Sequence, residues 1–237
     1  MENIVQLNNL MKGSYSYEEA LKTLRTNIQF CGSNIKVIMV SSAVPNEGKT
    51  NVSFALSLSL AQIGKRVLFI DADIRKSVII SRYQPDRDVN GLSQLLSGQK
   101  QEREVIYKTN ADNLDLIFSG PYSPNPAELL EESMFSVLIE SARKKYDYVI
   151  IDTPPLINLI DGAIIAPHCD GAVVVIESGL VSYRIEQKVK KQLEVTGCRI
   201  LGVILNKVNV RESRYRNYTR YGTYKNYEMQ EKELGVN

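Results

Sequence analysis

Six short apolar runs rich in Val and Ile, at residues 37–40, 67–70, 114–118, 149–151, 172–176 and 200–205, constrain the fold most tightly. Each is too short for a helix and apolar at almost every position, the mark of a strand buried on both faces of a parallel sheet. Helix-length segments near 50–63, 126–144, 161–168 and 182–196 separate them, and Leu21, Leu24 and Ile28 give residues 16–31 a helical apolar stripe. Gly64 and Gly197 stand where two of these helices must stop before the next strand. Alternating strands and helices imply an α/β, three-layer fold with a mostly parallel central sheet and its ligand site at the carboxyl ends of the strands.

The first of those strand ends carries chemistry. After Val40 the chain reads Ser41-Ser42-Ala43-Val44-Pro45-Asn46-Glu47-Gly48-Lys49-Thr50 and enters a helix, the context a phosphate-binding loop requires. Loop amides and the helix N-terminus favour an anion there, with Lys49 reaching the β- and γ-phosphates and the Thr50 hydroxyl reaching Mg²⁺. Ala43 replaces the first glycine of the usual pattern. The fold expected is therefore of the P-loop NTPase type.

Two further strand ends bear carboxylates. Ile70-Asp71-Ala72-Asp73-Ile74-Arg75 places Asp71 and Asp73 two residues apart, on the same side of an extended strand. Beside a triphosphate such a pair suits a metal and a proton acceptor. Val149-Ile150-Ile151-Asp152-Thr153-Pro154-Pro155 ends in the aspartate that, in P-loop enzymes, holds Mg²⁺ directly or through water. The only histidine, His168, follows a proline between a helix and a strand and is read as structural.

Beyond Lys207 the periodicity stops. Tyr215, Tyr218, Tyr221, Tyr224 and Tyr227 bring five of the chain's 13 tyrosines into a stretch that, over residues 211–227, has no Pro, Val, Leu or Ile. Such a segment cannot build a core, so the chain reads as one domain over residues 1–210 and a flexible tyrosine-rich tail over 211–237. A net charge of +2 argues against nucleic-acid binding by bulk electrostatics. Cys31, Cys169 and Cys198 form no CxxC pair and read as buried thiols in a reducing compartment. With no signal peptide and no apolar run long enough to span a membrane, the expected location is the cytoplasm.

Together these segments resemble the bacterial tyrosine kinases of capsule and exopolysaccharide synthesis. The resemblance rests on Pro45 to Thr50, Asp71-Ala72-Asp73-Ile74-Arg75, Asp152-Thr153-Pro154-Pro155, Ser119-Gly120 with Asn125-Pro126-Ala127-Glu128-Leu129-Leu130, and the terminal tyrosine cluster. It implies an ATP-dependent protein-tyrosine kinase, with Asp71 as base toward the tyrosine hydroxyl and Lys49 and Asp73 completing the catalytic set. Mg²⁺ is implied at Thr50, Asp73 and Asp152, and nucleotide contacts at Ala43, Pro45, Asn46, Glu47, Gly48, Lys49, Thr50, Asn51 and Asn206. The tail tyrosines are the implied acceptors. The family's helix motif ExxRxxR stands here as Glu19, Lys22 and Arg25, implying a homo-oligomeric ring, with eight subunits as one size. The resemblance further implies a membrane-anchored activator of the polysaccharide co-polymerase type, which recruits the kinase to the inner face of the membrane, and a cognate tyrosine phosphatase.

Two other readings share parts of this pattern. Partitioning and cell-division ATPases of the MinD and ParA type have the same plan but carry a signature lysine where Val44 stands, and have no use for clustered tyrosines. The tail's five cations against one anion over residues 211–227, a local charge of +4 interleaved with aromatics, could stack on single-stranded nucleic acid or meet a membrane.

Overall fold

The structure is a computed structural model that describes residues 3–10, 13–157 and 159–208. The chain divides after Asn206, and the fold below is that of the part before it. The tail tyrosines Tyr215, Tyr218, Tyr221, Tyr224 and Tyr227 lie outside the described residues.

Strands β1 (Ile4–Val5), β2 (Val37–Ser42), β3 (Val67–Asp71), β4 (Ile106–Thr109), β5 (Leu114–Ile117), β6 (Tyr148–Asp152), β7 (Gly171–Glu177) and β8 (Ile200–Asn206) form a single sheet. Its order is β1-β4-β5-β3-β6-β2-β7-β8, parallel at every pairing except β4 with β5. All six expected strands are present, so the mostly parallel sheet stands. β1 and β4 were not anticipated. β1 has two residues, and β4, Ile-Tyr-Lys-Thr, buries only Tyr107 fully, so neither makes a continuous apolar run.

Along the central strands, alternate residues feed opposite layers. Val37, Met39, Leu68, Ile70, Val149 and Ile151 join one core; Ile38, Val40, Val67, Phe69 and Ile150 join the other. The second core lies under α1 (Tyr15–Phe30), α2 (Lys49–Ala61) and α3 (Ile79–Tyr83), where Phe54 stacks on Tyr83 at 4.1 Å and meets the edge of Phe69 at 5.3 Å. The first is covered by α4 (Leu92–Leu96), α6 (Pro126–Glu131), α7 (Ser133–Lys145), α8 (Asp161–Ile165) and α9 (Tyr183–Val195), while α5 (Glu102–Val105) leads into β4.

The helix expected over 126–144 is two helices. Glu132, at ψ 139°, leaves the helical region between α6 and α7. Leu130 and Phe135 are both buried; five residues apart on an unbroken helix they would point about 140° apart, and the break lets both face the sheet. The segment 161–168 likewise becomes α8 followed by a 3₁₀ turn, Ala166–His168.

Asp170 fixes the entry to β2. Its Oδ2 accepts from the Lys36 and Val37 amides, each at 2.8 Å, and Arg143 Nη1 lies 2.7 Å from both carboxylate oxygens. Burial opposes ionisation, but the Val37 amide, Arg143 and the Lys36 amide outweigh it and hold the carboxyl below its usual range. A folded value below the unfolded one gives stability that is present above the unfolded value and lost as pH falls through the folded one. Asp170→Asn is expected to cost about 1–3 kcal/mol at neutral pH. In denaturant titrations the gap to the parent should close below about pH 4; an undiminished gap in acid contradicts this role.

Candidate active site

The expected site residues converge where β2, β3, β6, β7 and β8 end. Between β2 and α2, Asn46 (φ 68°) and Gly48 (φ 90°) take left-handed backbone angles. Asn tolerates that region, which accounts for Asn46 in the loop. Gly48 is required twice over, because a Cβ there would stand 2.2 Å from Asn206 Nδ2. Gly48 is the N-cap of α2 and offers no side chain to the first-turn amides, an arrangement that favours an anion.

Two of the expected nucleotide residues shape the loop from behind. The Glu47 side chain is fully buried, accepting from the Val44 amide at 2.8 Å and the Glu177 amide at 3.1 Å. Asn206 Nδ2 donates to the Glu47 carbonyl at 2.9 Å. In the first turn of α2, Asn51 Oδ1 is the one buried side-chain polar atom among the described residues that lacks a hydrogen-bond partner. A ligand with a donor group would satisfy it.

The three aspartates surround Lys49. Asp71 and Asp152 are register partners at the ends of β3 and β6. Lys49 Nζ lies 3.1 Å from Asp73 Oδ2, 3.6 Å from Asp152 Oδ2 and 3.2 Å from Thr50 Oγ1. Thr50 Oγ1 donates to Asp152 Oδ2 at 2.6 Å, and Ser53 Oγ donates to Oδ1 at 3.1 Å. Asp71 accepts from the Ser77 hydroxyl and, at 3.3 Å, from the Asp73 amide.

Burial and these contacts set the charges. Burial first, then the Asp152 carboxylate, push Asp71 up to about 7, against the hydrogen bond from Ser77. Burial raises Asp152 despite Lys49 and Thr50. Burial alone would lower Lys49, but Asp152 and Asp73 overcome it and hold the amine above its usual value.

Ser53 and Ser77 went unnoticed in the sequence. Ser53 lies three residues past Thr50, on the same side of α2, which is a usable signal; Ser77 belongs to no motif. For Mg²⁺ the donors are all oxygens, as that ion prefers. That ion takes one or two carboxylates and completes its shell with phosphate and water. The oxygen donors beside the loop are Thr50, bonded to Asp152 at 2.6 Å, and Asp73, 3.1 Å from Lys49.

The α1 motif is engaged within the chain. Lys22 pairs with Glu19 at 2.6 Å, and Arg25 donates to Ser59 O and Oγ at 2.9 and 3.2 Å at the end of α2. Among the described residues no helix is long and apolar enough to cross a membrane.

Residues 35–195 match the family described as an AAA domain. Tyrosine-protein kinase CpsD of Streptococcus agalactiae is 42% identical over 205 residues, covering 86% of this chain and 90% of that protein. The kinase domain of Escherichia coli tyrosine kinase ETK superposes with a TM-score of 0.78 at 34% identity, over 82% of this chain and 77% of that one. Septum site-determining MinD from Pyrococcus horikoshii, complexed with Mg-ADP, gives a TM-score of 0.63 at 25% identity, over 75% and 72%.

Proposed function

The chain belongs to the bacterial tyrosine-protein kinases of capsule and exopolysaccharide loci, and on that premise we propose that it transfers the γ-phosphoryl group of ATP to its own C-terminal tyrosines. The observation that carries the proposal is Lys49 held between Asp73 and Asp152, with Asp71 beside them, at adjoining strand ends. Phosphoryl transfer asks a protein mainly for positioning and charge stabilisation. The α2 amides and Lys49 cradle the β- and γ-phosphates. Thr50, Asp152 and Asp73 would hold Mg²⁺, which neutralises phosphate charge. Asp71 accepts the proton of the attacking tyrosine hydroxyl, and a carboxyl raised to about 7 is a stronger base at neutral pH than an ordinary aspartate.

Tyr215, Tyr218, Tyr221, Tyr224 and Tyr227 are the acceptors, delivered to a neighbouring subunit. Delivery in trans needs an assembly, and α1, with Lys22 55% exposed, supports a ring in which Glu19, Lys22 and Arg25 exchange partners between subunits. A membrane-anchored activator and a tyrosine phosphatase complete this proposed cycle. The polymer-organising alternative is disfavoured by Val44, where those ATPases carry lysine, and by the higher likeness to ETK than to MinD.

Mixing tests delivery. A Lys49→Met chain has tyrosines but no working site, and a chain ending at Val210 has the site but no tyrosines. Phosphate on the Lys49→Met tail, lost on dilution or on alanine substitution of Glu19, Lys22 and Arg25, is the expected result. No transfer between them while the intact chain labels itself at a dilution-independent rate rules delivery in trans out.

A further inference from the structure

We propose that Asp161 is a positioning residue for phosphoryl transfer, holding the Asp71-Asp73 segment in register with the phosphate loop through Arg75. The inference rests on the kinase reading of that site. Asp161 opens α8 and is fully buried, a costly place for a carboxylate unless it is paired. Its partner is the Arg75 fork: Nε donates to Oδ2 at 2.8 Å and Nη2 to Oδ1 at 3.1 Å. Two parallel hydrogen bonds fix direction as well as distance. Arg75 lies two residues past Asp73 and four past Asp71, so fixing its guanidinium fixes the end of the segment that carries both carboxylates. Within that segment the Lys76 amide donates to Asp73 Oδ1 at 3.0 Å.

The other end of the brace is anchored on the phosphate loop. A Cβ on Gly162, the residue after Asp161, would stand 2.4 Å from Leu156 Cδ2, so α8 sits directly on buried Leu156. The Leu156 amide donates to Ser42 O at 2.9 Å and the Ile157 amide to Ala43 O at 3.2 Å. Ser42 and Ala43 are where β2 passes into the loop. Along the chain, Lys49 and Asp73 are joined only through α2 and β3. The path Arg75, Asp161, Gly162, Leu156, Ser42 closes that connection from the other side, so the ammonium and the two carboxylates are held from both directions.

A pair that only stabilised the fold would lower the melting temperature and leave turnover alone. A brace of the reacting groups does more, since a displacement of about 1 Å can cost on the order of a hundredfold in rate. The test uses the full chain with Asp161→Asn, Arg75→Lys and the double variant. Arg75→Lys keeps the charge on a side chain that is 34% exposed, so the fold tolerates it, but it loses the fork. Initial rates of tail phosphorylation, KM for ATP, affinity for a fluorescent ADP analogue and melting temperature are measured. Each single variant should turn over roughly 10- to 100-fold more slowly while KM and ADP affinity stay within about twofold. The double variant should be no slower than the slower single one, because one link is cut twice. Folded variants with near-normal turnover, losses shared equally by ADP affinity, or losses that multiply would each overturn the proposal. The parent chain run alongside tests the kinase reading separately: a parent that phosphorylates nothing defeats that reading, whereas fast variants beside a fast parent defeat only the brace.

Discussion

Replacing Lys49 by Met is expected to lower tyrosine phosphorylation by about a hundredfold or more while leaving the fold in place. The side chain is nearly isosteric, and its stem is packed at the start of α2, where Lys49 is 9% exposed. What disappears is the cation 3.1 Å from Asp73 and 3.6 Å from Asp152. Without it the phosphates would enter a site of three carboxylates with only amide dipoles to receive them. The residual stability cost falls on Asp152, which burial already pushes toward its neutral form. Circular dichroism with the rate assay separates the two effects. Near-normal activity in a folded Lys49→Met chain would remove Lys49 from the phosphate site.

Changing Tyr215, Tyr218, Tyr221, Tyr224 and Tyr227 together to Phe should remove nearly all self-phosphorylation and leave nucleotide binding unchanged. The stretch 211–227 carries a charge of +4, suited to a site that binds a phosphate-bearing polyanion. Each phosphate adds about −1.5 to −2, so five reverse the sign of the tail by roughly −8 to −10. Under the proposed delivery in trans, a tail drawn to the neighbour's site when cationic would then be repelled from it, and the proposed ring would loosen. The Phe variant should accordingly form an assembly whose mass, read by light scattering, ignores ATP. Undiminished labelling of that variant would place the acceptors elsewhere.

What could be read from the sequence follows from how locally each feature is encoded. Five of the six expected strands announced themselves because burial forces near-continuous apolar runs; the sixth, β8, is as apolar in sequence but lies at the sheet edge with Val203 and Leu205 exposed, so its run overstated its burial. The loop at Gly48-Lys49-Thr50 and the aspartates at 71, 73 and 152 sit at fixed places relative to those runs, so the strand ends predicted their convergence. β1 and β4, short and partly polar, left no such run. The split between α6 and α7 depends on which side of Leu130 and Phe135 the sheet lies, which no local pattern states. Asp161 and Ser77 are also invisible locally: each acts on a partner defined only by the fold, Arg75 from 86 positions away and Asp71 across a turn. The bond from Arg25 to Ser59 on α2 was equally invisible, because Ser59 lies 34 positions away and only the packing of α1 on α2 brings the two together.

Incubating the full chain with ATP and Mg²⁺ and mapping the tail peptides by mass spectrometry tests most directly whether this site moves phosphate from ATP to the chain's own tyrosines. Phosphotyrosine at several of Tyr215, Tyr218, Tyr221, Tyr224 and Tyr227, absent from the Lys49→Met chain, is the expected result. Conversion of ATP to ADP and free phosphate with those peptides unmodified would contradict it.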